Sequence, residues 1–190
     1  MPTPSIPALL LAAGRGERMR PLTDHTPKPL LQVQGRPLLE WHLRALAGAG
    51  VRRVVVNTAW LGDRISSHFG PQRLLDKREQ LSISYSHEDR DFGRALETAG
   101  GIARALPLLE SDVFWLAAGD VFAPDFRFEA EAARRFAASG ALAHLWLVPN
   151  PPHNPRGDFG LSGDGLALNL PADSAAPRYT YATIALLRAG

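Results

Sequence analysis

The sequence predicts an α/β fold, a mostly parallel sheet covered by helices on both faces, and three observations predict it. Short apolar runs alternate with amphipathic stretches at helical spacing along most of the chain, the pattern of βαβ units. The first run, Ile6 to Ala12, contains no polar residue, as expected of a strand buried on both faces. At 190 residues, with 45% hydrophobic and 21% charged residues, the chain can bury a full core without staples.

The elements follow in order. Ile6 to Ala12 is the first strand, closed by Gly14. From Pro37 to Ala49 the apolar residues Leu38, Trp41 and Leu46 recur at helical spacing. Pro37 suits a first helical position and Gly50 a stop. Val51 to Val56 is a second strand, Gly62 to Phe69 a short helix, and Leu81 to Tyr85 an alternating strand. Ala95 to Leu106 reads as a helix despite Gly100 and Gly101. Asp112 to Ala117 is a buried strand ending at Gly119-Asp120. Phe126 to Ser139 is an amphipathic helix, and Ala141 to Val148 a further strand. Pro149, Pro151, Pro152 and Pro155 then enforce a loop, and Phe159 to Leu187 reads as short strands with turns. Neither a repeat nor a linker divides the chain, so residues 1–190 read as a single domain.

Composition removes several classes of function. With no cysteine there is no disulfide, thiol nucleophile, Cys-zinc site or iron–sulfur cluster. A formal net charge of +2 does not argue for nucleic acid. No apolar run approaches the roughly 20 residues that span a bilayer. The N-terminus, Met1-Pro2-Thr3-Pro4-Ser5, lacks a basic n-region, so a cytoplasmic protein without membrane partners is expected. Basic residues are almost all arginine, with lysine only at 28 and 77, which singles out a lysine kept at a special position.

Open α/β sheets bind ligands at the carboxyl ends of their strands. The first such end carries Ala12-Ala13-Gly14-Arg15-Gly16-Glu17-Arg18-Met19-Arg20-Pro21-Leu22-Thr23, then Pro27-Lys28-Pro29. Glycines in a turn after a first strand let backbone N–H groups approach a phosphate. No P-loop Gly-Lys-Ser/Thr follows Gly14, and Met19 occupies the third glycine position of the dinucleotide fingerprint, so a nicotinamide oxidoreductase is disfavoured. Arg15, Arg18, Arg20 and Lys28 outnumber Glu17 and Asp24, and two prolines of fixed φ flank Lys28. A solvated basic loop is the plain alternative. At the second end, Ala118-Gly119-Asp120 places a carboxylate where it can hold Mg²⁺ or simply close a turn. The third segment, Glu97 to Gly101, reads either as ligand wall or as a helix start with Glu97 in its first turn. His42, His68, His87, His144 and His153 show no metal-ligand spacing, and Trp41, Trp60, Trp115 and Trp146 read as core.

The string Gly14-x-Gly16-x-Arg18-Met19-x-Pro21-Leu22-Thr23 followed by Pro27-Lys28-Pro29-Leu30 resembles the signature of sugar-1-phosphate nucleotidylyltransferases. Ala59-Trp60-Leu61-Gly62, Leu96-Glu97-Thr98-Ala99-Gly100-Gly101 and Asn150-Pro151 with Gly157-Asp158-Phe159 bring the resemblance to the uridylyltransferases of N-acetylmuramate 1-phosphate. It implies a Rossmann-like, glycosyltransferase-A-like nucleotidyltransferase domain, with a nucleotide half at 1–120 and an incomplete sugar half at 121–190. The implied reaction joins UTP and a sugar 1-phosphate into UDP-sugar and pyrophosphate with Mg²⁺, in the setting of peptidoglycan recycling. The resemblance gives Ala12, Ala13, Gly14, Gly16, Glu17, Arg18, Lys28, Thr98 and Gly100 to the nucleotide. It gives Glu97, Ala118 and Asp158 to the sugar, and Arg18, Lys28 and Asp120 to catalysis, with Asp120 as the metal ligand. Alternatives are a guanylyl- or thymidylyltransferase of a hexose 1-phosphate, or a weakened nucleotide-sugar-binding relative.

The chain departs from the family pattern in three places. Ala118 stands where asparagine is usual, Thr183 where glycine is usual, and no Trp-x-Asp segment with a second metal carboxylate follows. These departures imply reduced turnover. A sheet left uncovered would favour a homodimer.

Overall fold

The computed structural model describes residues 5–76 and 79–190. Strand β1 (Ala8–Ala12) lies at the middle of a nine-stranded sheet, counted among the described residues. It pairs in parallel with β4 (Arg53–Thr58) on one side and β7 (Val113–Ala118) on the other, and β4 pairs in parallel with β6 (Glu79–His87). Antiparallel strands extend both ends: β5 (Gln72–Asp76) beyond β6, and β11 (Arg178–Arg188) beyond β7. Outside β11 lie β8 (Ala143–Val148), β9 (Phe159–Leu161) and β10 (Ala167–Leu168). A two-residue ladder, β2 (Gln32–Val33) with β3 (Arg36–Pro37), stands apart from this sheet.

Period-two alternation divides the core between two faces. Leu10, Val54, Val56, Trp115 and Ile184 pack with Leu39, Leu43 and Leu46 of α1 (Leu38–Gly48), Ile65 and Phe69 of α2 (Gly62–Phe69), and Phe136 of α5 (Ala130–Ala138). On the other face Leu9, Val55, Phe114 and Leu116 pack with Ala105 and Leu109 of α4 (Glu97–Leu109). Helix–sheet–helix layering and a parallel centre agree with the predicted class.

Several expectations are corrected. The segment 126–129 is not helical. Phe126 and Phe128 pack edge to face there, and Phe128 meets Trp115 edge-on, an i,i+2 pair sharing one face of an extended segment ahead of the helix. Pro37 pairs with Gln32 and precedes the helix instead of opening it. Between β6 and α4 lies a short helix, α3 (Glu88–Phe92), inside a charged stretch that carries no apolar period. The antiparallel β5 was not foreseen, and β11, with eleven residues, is longer than the short strands expected.

Candidate active site

The carboxyl ends of β1, β4 and β7 open on one side of the sheet, and the loops after β1 and β7, Asn57 of β4 and the start of α4 wall a cleft of 390 Å³. Leu11 to Arg15, Asn57, Pro29, Ala95, Glu97, Thr98, Ala118 and Asp120 line it. Segments spread over more than a hundred residues of chain thus meet around one space.

The loop after β1 turns at Gly16, whose φ of +68° lies in the left-handed region. A Cβ there would stand 3.1 Å from Thr23 Cγ2 and 3.2 Å from Lys28 Cβ, so glycine lets the lysine stem pass close by. Buried Thr23 donates its hydroxyl to Gly16 O at 2.9 Å, and Met19 N–H donates to the same carbonyl at 2.9 Å. A second segment straps this loop from outside. Trp60 Nε1 donates to Thr23 O at 3.0 Å, Arg64 donates to His25 O, and Arg15 lies 4.0 Å from the centre of the Trp60 ring. Trp60 is therefore a latch on the basic loop, not a core residue as its apolar ring suggested. Sequence reasoning noted the Ala59-Trp60-Leu61-Gly62 string but not that reach.

Lys28 opens a 3-10 turn, Lys28–Leu30, between buried Pro27 and Pro29. Its ammonium donates to Asp120 Oδ2 at 2.8 Å across 92 residues of sequence. The side chains are 27% and 36% exposed, so the pair is partly shielded from solvent, unlike a cation on a solvated loop. Asp120 is positioned by the β7 loop. Gly119 N–H extends the β1 ladder to Leu11 O at 2.8 Å, and a Cβ on Gly119 would come within 2.6 Å of Leu39 Cδ1. Phe122 meets Trp41 edge-on with ring centres 5.3 Å apart. His42 Nε2 lies 2.8 Å from Val121 O, and a carbonyl only accepts, so Nε2 carries the proton. Burial lowers the His42 pKa, against the raising effects of that bond and the Asp120 charge.

On the opposite wall, Ala12 N–H donates to Asn57 Oδ1 at 2.9 Å, and Asn57 Nδ2 donates to Glu88 Oε1 at 2.5 Å. Leu96 N–H donates to Glu88 Oε2 at 2.7 Å. Neither Asn57 nor Glu88 was foreseen. Asn57 had a signal, a lone amide at the carboxyl end of Val54-Val55-Val56. Glu88 sits in an acidic stretch indistinguishable from a solvated one.

Among the sequence-predicted residues, Ala12, Ala13, Gly14, Glu97, Thr98, Ala118 and Asp120 line this cleft, with Lys28 joined to Asp120. Glu17 and Arg18 lie exposed on the 3-10 turn Glu17–Met19. Gly100 faces Leu96, where a Cβ would come within 2.7 Å of Leu96 Cβ. Asp158 is not part of this wall. It accepts from Tyr181 N–H at 2.8 Å and from Asn154 Nδ2 at 3.1 Å, bracing the β9–β11 region. Among the described residues no helix is long and apolar enough to cross a membrane.

A basic loop with a glycine turn, a lysine and an aspartate at adjoining strand ends, and one shared cleft are the parts of a phosphate-handling site. The nucleotidyl transferase family profile matches residues 7–162, and the chain belongs to that family. It is 51% identical to an N-acetylmuramate alpha-1-phosphate uridylyltransferase of Neisseria meningitidis, over 83% of this chain and 65% of that protein. Identity to a mannose-1-phosphate guanylyltransferase catalytic subunit beta of Xenopus tropicalis is 39%, over 64% of this chain and 32% of that protein. The chain thus spans just under two thirds of the length of the first relative and about a third of the second. A UTP-bound UGPase of Acinetobacter baumannii shares the fold, with a TM-score of 0.73 at 18% identity over 97% of this chain and 74% of that one.

Proposed function

We propose that the chain transfers a uridylyl group from UTP to a sugar 1-phosphate, releasing pyrophosphate. N-Acetylmuramate 1-phosphate is the acceptor, taken from the name of the Neisseria relative. The observation that carries this reading is the Lys28–Asp120 pair, 2.8 Å apart beside the cleft that the backbone of residues 11–15 walls.

An oxygen of the acceptor phosphate attacks the α-phosphorus of UTP. The bond from that phosphorus to the oxygen leading to the β-phosphate breaks, and pyrophosphate leaves with the electron pair. A phosphate monoester has a second pKa near 6, so at neutral pH about two negative charges sit on the attacker and no general base is needed. The barrier is repulsion between two anions, which positioned cations lower. Lys28 is within reach of Asp120 and turns its ammonium to the α-phosphate and the incoming phosphate. Arg18, on the exposed turn, serves the departing phosphates. The cleft backbone holds attacker and leaving group in line.

Among the described residues no group of three or more His, Cys, Asp or Glu side chains is gathered. Magnesium fits such a site as an ion carried by the nucleotide, because it accepts one or two carboxylates, triphosphate oxygens and several waters. Asp120 would hold it, and when bound it would supply charge neutralisation between donor and acceptor. A nucleoside triphosphate donor and a phosphorylated acceptor belong to the cytoplasm.

Pyrophosphate release, measured across UTP, GTP and dTTP against a panel of sugar 1-phosphates, tests the reading. Release with UTP and N-acetylmuramate 1-phosphate supports it. Release with GTP and mannose 1-phosphate alone replaces the substrate pair, and binding without release reassigns the chain as a nucleotide binder.

A further inference from the structure

The acidic stretch after β6 hides a carboxyl group that is wholly buried. Glu88 has 0% relative exposure, yet it belongs to a helix of only five residues at the surface. Burying a carboxyl costs several kcal/mol unless its oxygens are satisfied, so its partners show what the burial achieves. One oxygen takes Asn57 Nδ2–H at 2.5 Å and the other takes Leu96 N–H at 2.7 Å. Asn57, itself 2% exposed, turns its own oxygen to Ala12 N–H at 2.9 Å. The chain of bonds therefore runs from the root of the β1 loop, through the end of β4, to the residue that precedes α4. Ala12 and Asn57 line the cleft, and Leu96 sits between two lining residues, Ala95 and Glu97.

Two further features match this clasp. Gly101, one turn into α4, has no room for a side chain. A Cβ there would lie 2.5 Å from both Asn57 Nδ2 and Glu88 Oε1, so the second glycine of the pair makes space for the clasp. Glu97 follows the clasped Leu96 amide and has a φ of +60°, a left-handed conformation that costs a non-glycine residue about 1–3 kcal/mol. Such backbone persists only where its surroundings over-determine it. Here Leu96 N–H is tied on one side, and helix α4 begins on the other. Glu97 and Thr98 line the same cleft as Asp120, the partner of Lys28.

We infer that Glu88 is a positioning residue for the nucleotide. Through Asn57 and Leu96 it holds the strained Ala95–Thr98 wall against the β1 loop at the width a nucleoside triphosphate needs. Glu88 is sealed from the cleft and touches no ligand, so it acts through the backbone that it fixes. The inference rests on the nucleotidyl transfer reading above and deepens it.

The test compares wild type with Glu88→Gln and Gly101→Ala. Glutamine keeps the shape but turns an amide N–H₂ toward one of two N–H donors, opening half of the clasp. Alanine at 101 wedges the clasp apart from the α4 side with Glu88 intact. Three quantities are read for each chain: thermal unfolding, hydrogen exchange of the Leu96 amide, and the Kd of UTP with Mg²⁺ by titration calorimetry without acceptor. Both variants are expected to exchange Leu96 faster and to bind UTP about 10- to 100-fold more weakly, the scale on which small misplacements act. In Glu88→Gln, KM for UTP is expected to rise more than kcat falls. Lowered melting with unchanged UTP affinity in both variants overturns the inference and leaves the clasp as fold stabilisation. Should wild type itself bind none of UTP, GTP and dTTP, the nucleotidyl transfer reading falls and the positioning role with it. Equal binding by wild type and variants overturns the positioning role alone.

Discussion

Replacing Lys28 with methionine separates charge from packing at the centre of the site. Methionine keeps the stem that passes Gly16 and removes the ammonium 2.8 Å from Asp120. With side chains 27% and 36% exposed, the ion pair is partly screened. Measured pairs of this kind contribute about 0.2–1 kcal/mol. In a domain of this size 1 kcal/mol moves the melting temperature by roughly 2–4 °C, so Lys28→Met is expected to melt no more than about 4 °C below wild type. Nucleotide affinity follows a different scale. A hydrogen bond from an ammonium to a phosphate contributes about 1.5–3 kcal/mol, because one partner is always charged. That corresponds to a loss of roughly 10- to 150-fold in UTP affinity. Scanning fluorimetry gives the first quantity and calorimetric titration with UTP and Mg²⁺ the second. A melting drop beyond about 8 °C with unaltered UTP affinity would refute the reasoning and make Lys28 a structural cation.

Three other perturbations have defined outcomes. Thr183 holds a φ of +60° in β11, beside the irregularity between Tyr181 and Ala185, a conformation that costs a β-branched residue about 1–2 kcal/mol or more. Thr183→Gly relieves that strain, offset by about 0.5–1 kcal/mol of glycine entropy, and should raise the urea midpoint slightly; a clear fall would show the threonine to be well accommodated. Trp60→Phe keeps a ring for Arg15 but loses the bond to Thr23 O, so UTP binding should weaken several-fold while Trp60→Ala weakens it further; equal binding by both would leave the latch without a role. Acid should destabilise the fold: burial holds the pKa of His42 below 6.5, so below that pH the unfolded chain binds a proton that the folded chain resists. The stability this residue contributes is complete above pH 6.5 and is lost as pH falls toward its folded-state pKa, by up to about 1.4 kcal/mol per pH unit. Urea midpoints across this range check the slope, and His42→Gln should flatten it.

Much of the fold and part of the site were legible in the sequence because they depend on local order. Ile6 to Ala12 and Asp112 to Ala117 announce buried strands by continuous hydrophobicity, and the bounds of α2 match because Gly62 and Gly70 bracket one apolar face. Once strand ends are known, sheet topology brings the loops beyond them to one side. That is why Gly14, Glu97 and Asp120 could be grouped from spacing and resemblance alone. The sequence also marked Lys28, by its rarity and by the prolines around it.

What only the tertiary structure decided are contacts whose partners lie far apart in the chain and whose residue types are ordinary. Glu88 looks like any surface glutamate until Asn57 and Leu96 close over it, and Gly101 looks like a flaw in a helix until the space beside it is seen to hold that pair. Phe126 and Phe128 precede an amphipathic run that reads as helix from its first residue, yet they stay extended, where their rings join Trp115 and Trp146 in one aromatic cluster. Trp60 is apolar enough for a core, but its indole N–H finds Thr23 O, 37 residues away in the chain. Periodicity records which face of an element is buried. It does not record which distant donor will reach a buried carboxyl, because that choice is made only when the sheet aligns the strand ends.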